Sequence, residues 1–264
     1  MKGVTTLILA VVFGSIPGFI WLIFYVHEDF RNHRHKTLTA IAFLAGALST
    51  FVVLVIQIKV SNEISFIGRD PHSLWSFMVL GGIEEIAKFM AFLLIVRPQR
   101  VFQKLHEPVD AMVAMVAVGL GFATVENVAS ASQILTDYGL GPSVFETVIL
   151  RFLGATLLHT LSSGLIGYYW ARALLLSKKS YRHYIRYVHI DHPNPEMVTV
   201  TKRKFRWHLL IQGIALAIIL HAVFNYLIII NGPTGVAIVF LVVFAFFVLS
   251  DFEKLKHIDQ TPNL

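Results

Sequence analysis

The stretch GGIEEIAKFM, residues 81–90, places three charged side chains in the middle of an apolar segment. That segment runs from Leu74 to Val96 and is long enough to cross a bilayer as a helix, which takes about 20 residues. Each charged residue at the centre of such a helix costs roughly 2.5–3.5 kcal/mol on insertion scales. Glu84, Glu85 and Lys88 therefore indicate either a buried ion pair that fixes helix packing or a functional site inside the membrane.

The composition is that of an integral membrane protein. Of the 264 residues, 56% are hydrophobic and only 14% are charged, whereas a soluble domain carries about 25% charged residues. We therefore predict an all-α fold, a polytopic membrane helical bundle that occupies residues 1–264 as a single integral-membrane domain. The chain contains no cysteine, so disulfides and thiolate metal sites are excluded. The first apolar run continues past Pro17 without a small-residue cleavage site, which predicts a retained first span.

Windows of about 20 apolar residues predict about seven transmembrane helices. They are Val4–Val26, Leu38–Val60, Leu74–Val96, Val109–Ser132, Phe145–Leu176, Leu209–Ile230 and Thr234–Ser250. The fifth window is longer than a span requires, and it predicts a helix that tilts or extends beyond the bilayer.

The basic residues predict how these helices are oriented. Seventeen of the 22 Lys and Arg residues fall on one side of the membrane and three fall on the other. Because cytoplasmic loops carry the excess of positive residues, we predict the N-terminus outside and the C-terminus in the cytoplasm. A long basic cytoplasmic loop is predicted at about 177–207. The net charge of +6 then reflects topology and attraction to the lipid bilayer, and we predict no nucleic-acid partner.

The ionisable side chains inside the predicted spans come from four helices and share similar depths. Counted from the outer ends of their spans at about 1.5 Å per residue, they lie between the midplane and the outer leaflet. Ionisable residues at such depths face a bundle interior or a water-filled cavity and mark a functional site by default. We therefore predict one site in the outer half of the bilayer, opening outward. Its members are Glu84, Glu85, Lys88, Glu126, His159 and His221, with Arg151 nearer the end of a span.

Helical spacing relates these side chains to one another. Lys88 lies three residues after Glu85 and four after Glu84, so its ammonium can neutralise one carboxylate. Asn225 lies four residues after His221 and shares its helical face. The structural alternative is a buried ion pair with histidines that only hydrogen-bond between helices, but three glutamates and two histidines at similar depths favour a functional site. The glycines that let helices approach closely beside this site are Gly119, Gly121, Gly164 and Gly167.

Four segments resemble, in order, the motifs of the PrsW family of intramembrane proteases. They are EEIAK (84–88), FATVEN (122–127), RFLGATLLHTLSSGLIGY (151–168) and HAVFN (221–225). The family is in turn similar to the CAAX-type prenyl-protein endopeptidases. The resemblance covers about residues 74–230, which we predict to be the catalytic core. It departs from the family pattern at Asn225, where aspartate is frequent, and in the length of the basic loop.

The resemblance implies an intramembrane endopeptidase in a prokaryotic cell membrane that acts on a single-span membrane protein. The family's type member implies an anti-sigma factor as the kind of substrate, in regulated proteolysis signalling. Other intramembrane protease classes are excluded, because the sequence holds no HExxH, no mid-span aspartate pair and no GxSG. A proton- or ion-coupled transporter using the same buried Glu, His and Lys set is the alternative, although no repeated halves are apparent. A structural or lipid-remodelling membrane protein is the third hypothesis.

Peptide hydrolysis needs an activated water, a stabiliser for the oxyanion and a proton donor for the leaving amine. A buried carboxylate beside another carboxylate is a stronger base than one in water. Our hypothesis takes one of Glu84 and Glu85 as the general base, with Glu126 sharing or relaying the proton. Lys88 would keep the adjacent pair from both becoming neutral.

The imidazoles have two alternative roles. In the metal-free hypothesis, His159, His221 and Asn225 polarise the scissile carbonyl or stabilise the oxyanion. In the alternative, Glu126, His159 and His221 hold a zinc ion and leave a fourth position open. The spacing does not decide between them, because the ligands come from separate helices; no cofactor is favoured, and zinc is the alternative.

Overall fold

The computed structural model describes residues 2–28, 36–97, 108–175, 195–232 and 235–258, and the regular secondary structure in these ranges is entirely helical. The all-α fold class is therefore confirmed. Residues 177–194 of the predicted basic loop lie outside the described residues, as do several of the cations that predict the orientation, which stays a prediction. The helices are α1 (Lys2–Glu28), α2 (Lys36–Phe66), α3 (Leu74–Val96), α4 (Pro108–Tyr138), α5 (Pro142–Leu153), α6 (Ala155–Leu175), α7 (Pro195–Asn231) and α8 (Gly235–Ile258).

Six helical segments in the described ranges are long and apolar enough to cross a membrane. They correspond to six of the seven predicted windows, with α5 and α6 together forming one segment. The remaining window is α3, which has the predicted bounds Leu74–Val96 but carries three charged residues within its apolar sequence. The described residues of all seven predicted windows are thus helical apart from Gly154, and the molecule is a polytopic bundle.

The fifth predicted window is two helices instead of one. α5 and α6 meet at Gly154, where the backbone leaves the helical region with φ −106° and ψ −96°. The Gly154 N–H still donates to the Leu150 carbonyl at 2.8 Å, and a Cβ at this position would lie only 2.7 Å from that oxygen. A side chain is therefore disfavoured at the break. This break accounts for the excess length of the window, which the expectation of a tilted or extended helix did not include.

α4 is the central helix of the bundle. Nearly all of its apolar stretch is buried, and α1, α2 and α6 pack along it. A Cβ at Gly121 would collide with the Phe43 carbonyl of α2, and one at Gly119 would lie 2.7 Å from the His159 carbonyl of α6. The predicted close approach of helices is thus confirmed at these two glycines. α3 packs against α2 and α7, and α7 packs against α6, so five helices form a closed ring around one interior.

The beginning of α3 is set by a capping serine. Ser73 accepts a hydrogen bond from the backbone N–H of Ser76 at 3.2 Å, which satisfies one of the free donors of the first turn. From this start, Glu84 lies about 15 Å along the helix axis. The cap therefore helps to fix the depth at which α3 presents its carboxylates.

Candidate active site

The structure brings six of the predicted site residues into one cluster. α3 supplies two carboxylates and an ammonium, α4 supplies one carboxylate, and α6 and α7 supply one imidazole each. Five of the six side chains are buried, and the sixth, Glu126, is 30% exposed. Successive contacts link Glu126, His159, Lys88, Glu85, His221 and Glu84, in that order.

Glu85 and Lys88 form a fully buried ion pair. Lys88 Nζ lies 2.6 Å from Glu85 Oε1, and both side chains are 0% exposed. The sequence spacing leaves open which carboxylate Lys88 neutralises, and the structure pairs it with Glu85. A buried carboxylate is strongly unfavourable without a partner, so the ammonium allows Glu85 to remain charged in the interior.

Lys88 also determines the tautomer of His159. Its Nζ lies 2.9 Å from His159 Nδ1, and because an ammonium can only donate, Nδ1 is the accepting nitrogen. The ring proton of His159 is then on Nε2, which donates to Glu126 Oε2 at 3.0 Å. The ring of Phe122 packs beside both groups, with its centroid 5.2 Å from Lys88 Nζ and 5.4 Å from the His159 ring. The aromatic face adds a favourable contact to the desolvated ammonium.

His221 lies between the two adjacent carboxylates of α3. Its Nδ1 is 2.8 Å from Glu85 Oε1, and its Nε2 is 3.5 Å from Glu84 Oε2. In the neutral form of the ring, the proton is on Nδ1, because the nearer carboxylate oxygen, Glu85 Oε1, only accepts, and Nε2 then keeps a lone pair. Gly81 makes room for the imidazole, since a Cβ there would lie 3.2 Å from the ring. An accepting nitrogen of His221 therefore faces an accepting oxygen of Glu84.

Glu84 is the carboxylate of this pair that Lys88 does not neutralise. Its Oε1 accepts from Gln57 Nε2 of α2 at 2.8 Å. Its Oε2 is buried and has no hydrogen-bond donor among the described residues. The same holds for Glu85 Oε2, but Glu85 Oε1 already accepts from two groups. An unsatisfied buried oxygen costs free energy, so Glu84 Oε2 and Glu85 Oε2 are both open to a hydrogen-bond donor or a cation.

The Glu126 end of the cluster is its more open end. Arg151 Nη2 lies 3.4 Å from Glu126 Oε2, and the two side chains are 23% and 30% exposed. Arg151 Nε also donates to Asn127 Oδ1, and Asn127 Nδ2 donates to Thr156 Oγ1 at 2.9 Å. These contacts hold Glu126 toward His159 while leaving part of its carboxylate accessible.

Asn225 lies one turn after His221 on α7 but outside the hydrogen bonds of the cluster. Its side chain is half-buried and forms no hydrogen bond with any residue that the structure describes. Its amide is therefore available to a ligand on the same face of α7 as His221.

Three uncharged polar side chains at the cluster or beside it are absent from the set predicted from the sequence. Gln57 contacts Glu84 directly, whereas Asn127 contacts Arg151 and Thr156 contacts Asn127. Apart from Asn225, the predicted set contains only ionisable groups. Gln57 carries the clearest signal, since it is the one amide within the apolar window Leu38–Val60. Arg151 is predicted as an interior cation, but its contact with Glu126 becomes visible only in the structure.

The cluster contains donors that suit a zinc ion. Glu84, His159 and His221 each offer a ligand atom within 4.8 Å of the others, and two histidines with one glutamate are a known catalytic zinc set. Tetrahedral bonds of about 2.0–2.2 Å separate ligand atoms by about 3.4 Å, close to the 3.5 Å between His221 Nε2 and Glu84 Oε2. Glu85 on His221 Nδ1 is the kind of carboxylate that orients a metal-binding imidazole.

Two features of the structure count against this zinc set as it stands. Glu126, which belongs to the zinc set predicted from the sequence, is not in this group; it instead accepts from His159. Both ring nitrogens of His159 are engaged, one by Lys88 and one by Glu126. His159 would therefore become a ligand only after a rearrangement of its hydrogen bonds, whereas Glu84 and His221 already present free lone pairs.

Comparison with known proteins identifies the family. Residues 34–191 match the model of the PrsW-protease family, described as PrsW family intramembrane metalloprotease. Protease PrsW of Geobacillus kaustophilus is 30% identical over 172 residues, which are 65% of this chain and 69% of that protein. Protease PrsW of Shouchella clausii is 28% identical over 167 residues, 62% of this chain and 70% of the relative. The Bacillus subtilis protein of that name is 26% identical over 167 residues, 63% and 70% of the two chains. No solved structure matches.

The family match covers more than half of the chain and three of the four motifs, whereas HAVFN (221–225) lies beyond it. The relatives are bacterial, and together with the six apolar spans they place the chain in a prokaryotic membrane as a multi-pass protein. Neither the family model nor the relatives favour the transporter hypothesis. The chain belongs to the PrsW family of intramembrane metalloproteases.

Proposed function

We propose that this chain cleaves peptide bonds of membrane proteins with a water molecule bound between Glu84 and His221. Membership of an intramembrane protease family supports the reaction class. One observation carries the choice of residues: Glu84 Oε2 is buried, lacks a donor among the described residues and lies 3.5 Å from His221 Nε2. A water that donates to Glu84 Oε2 satisfies this oxygen and can lie within hydrogen-bond distance of His221 Nε2 as well.

Glu84 is the general base in this proposal. A water that donates to Glu84 Oε2 and His221 Nε2 has its lone pairs directed away from both, toward the carbonyl carbon of a bound peptide. As the water attacks, one of its protons passes to Glu84, and it is delivered to the leaving amine as the peptide C–N bond breaks. Glu85 is less suited to this role because its Oε1 already accepts from Lys88 and His221. Glu85 instead holds Lys88 and also His221, which borders the water.

His159 and Asn225 are placed to stabilise the oxyanion. His159 Nε2–H donates to Glu126 in the described cluster, and a small rotation of the ring would turn that donor toward a substrate oxygen. The Asn225 amide supplies a second donor from the next turn of α7. Preorganised donors of this kind are commonly worth about 10²–10³ in rate each. Glu126 then accepts or relays the proton at the open end of the cluster. Arg151 holds the Glu126 carboxylate there.

Zinc is the alternative form of the same site. A zinc ion held by Glu84, His159 and His221 would supply a Lewis acid that polarises the water and the scissile carbonyl. Lys88 and Glu85 keep their positioning roles in that form, and Glu126 is the carboxylate left for proton transfer. The family description as metalloproteases supports this form, and the engaged nitrogens of His159 favour the metal-free form.

The substrate is a membrane-embedded protein, as the family implies. We propose further that it is a single-span protein of the anti-sigma-factor type. The burial of Glu84, Glu85, His159 and His221 within the helical bundle supports entry of the scissile segment from the membrane. Preference for single-span over multi-span substrates in reconstituted vesicles would support this choice, and equal cleavage of both would contradict it.

The proposed activity is tested by cleavage of a panel of single-span peptides in proteoliposomes, with products identified by mass spectrometry. Wild type and Glu146→Gln, whose native carboxylate is exposed on α5, should cleave, and Glu84→Gln should not. Loss of cleavage with a chelator and recovery with zinc would select the zinc form, and resistance to the chelator would select the metal-free form. Cleavage by Glu84→Gln at the wild-type rate would overturn the assignment of the base.

A further inference from the structure

An apolar groove runs between α2 and α3 on the exposed surface of the bundle. Its volume is ≈ 950 Å³. Alanines contribute its less exposed lining, at Ala45, Ala87 and Ala91, so a partner helix can approach the backbones closely. Its exposed walls include Ile41, Leu48, Val52 and Ile56 of α2 and Ile86 and Met90 of α3.

One end of the groove lies at the active site. Ile56 and Ile83 both line the groove, and they directly precede Gln57 and Glu84 in the sequence. Gln57 Nε2 bridges the two helices there, through contacts of 2.8 Å with Glu84 Oε1 and 3.3 Å with the Leu80 carbonyl. Gln57 therefore contacts the catalytic carboxylate beside this end of the groove.

The dimensions and chemistry of the groove suit an apolar helix. The lining on α3 extends from Ile83 to Ile95, which is about 18 Å along the helix axis. The lining on α2 extends from Thr37 to Ile56, or about 28 Å, close to the length of a transmembrane helix. An extended groove with alanines between larger apolar residues fits the ridges of a helix.

We propose that this groove binds the transmembrane helix of a single-span substrate, and that displacement of Gln57 admits the scissile segment to Glu84. The proposal rests on the proposed proteolytic function. It assigns substrate and water to different sides of the cluster, because the partly exposed Glu126 and Arg151 are not among the groove residues. A helix bound in the groove therefore leaves the open end of the cluster accessible to water.

Cross-linking tests the occupant directly, since the chain contains no cysteine of its own. Met90→Cys places a thiol in the groove, and Val243→Cys places one on α8 outside it. The native residues are matched in exposure, at 51% and 50%. Both variants carry Glu84→Gln so that the peptide is not consumed. The probe is a single-span peptide that the wild type cleaves, with one cysteine at the centre of its apolar segment, in liposomes under mild oxidation.

We expect the disulfide adduct to form at least about 10-fold faster with Met90→Cys than with Val243→Cys, because binding raises the effective concentration of the two thiols. Equal rates for the two variants would mean collision in the lipid phase and would overturn the proposal. A disulfide-linked dimer of the Met90→Cys chain as the main product would assign the groove to a second copy and would also overturn it.

A groove-filling variant separates this proposal from the proposed function. Ala87→Trp fills the groove, and Ala40→Trp, at an exposed position of α2 that does not line it, is the control. We expect Ala87→Trp to raise KM for the single-span peptide about 10-fold through lost ground-state binding, with a Tm equal to that of Ala40→Trp. If wild type cleaves and the two variants have equal KM, the groove proposal alone fails. If wild type cleaves no peptide, the proposed function fails first.

Discussion

Removal of the Lys88 ammonium is the most direct perturbation of the cluster's electrostatics. In Lys88→Met, Glu85 keeps its buried position but loses the cation 2.6 Å from its Oε1. Leaving one partner of a buried pair alone costs about 3–5 kcal/mol, and the lost hydrogen bond to His159 adds about 0.5–1.5 kcal/mol. For a chain of this size, each kcal/mol of destabilisation lowers Tm by about 2–4 °C. The loss of the ion pair alone therefore corresponds to a fall in Tm of about 6–20 °C.

The assay is thermal unfolding in detergent, followed by the fluorescence of the four tryptophans. Lys59→Met is the control, because Lys59 is exposed near the end of α2 and its loss should change stability by less than about 0.5 kcal/mol. The double variant Lys88→Met/Glu85→Gln should recover most of the lost Tm, since it removes both charges together. A single variant as stable as the control, or a double variant no better than the single one, would refute the buried ion pair.

Three further substitutions test the positioning contacts. Arg151→Met should slow peptide cleavage about 10-fold or more, because a misplaced catalytic group can cost about 100-fold; an unchanged rate would show that Glu126 needs no support. Gln57→Leu removes the donor to Glu84 Oε1 and leaves that oxygen unsatisfied, so it should lower kcat and destabilise the chain by about 1–3 kcal/mol; unchanged kcat would argue against a role in placing Glu84. Gly121→Ala forces α2 and α4 apart and should destabilise the chain by about 1–3 kcal/mol, measured against Gly3→Ala, where a Cβ has open space; equal Tm values would contradict the close approach.

The parts of the fold that follow from the sequence are those set by local chemistry. α3 has the predicted bounds Leu74–Val96, because its apolar residues are contiguous in the sequence apart from a few polar positions, and the capping serine Ser73 directly precedes them. The break at Gly154 is not predicted, since it lies inside a continuous apolar run and depends on the conformation of one residue. The length of the fifth window indicates that it is unusual, but it does not indicate that the segment forms two helices.

In the site, too, features set by local sequence are predictable, whereas contacts between helices are not. The depth of the charged residues within the predicted spans is enough to identify six side chains of the site, because ionisable residues are rare inside spans and pair with one another there. The choice between Glu84 and Glu85 as the partner of Lys88 cannot be made from helical spacing, since both lie within reach. In the structure Lys88 pairs with Glu85, and His221 of α7 contacts the same carboxylate oxygen at 2.8 Å. Gln57 is an uncharged residue from another helix, so its contact with Glu84 is visible only once the helices are packed.

The central claim is that Glu84 activates the water and Glu85 holds the site together. The measurement that tests it most directly is the single-turnover rate of peptide cleavage by Glu84→Gln and Glu85→Gln, each paired with its Tm. We predict that Glu84→Gln loses about 10²–10⁴ in rate, the usual contribution of a general base, at a Tm close to that of wild type. Glu85→Gln should lower Tm because it leaves Lys88 buried without its carboxylate. Wild-type turnover in Glu84→Gln, with the rate lost only in a stably folded Glu85→Gln, would contradict the account.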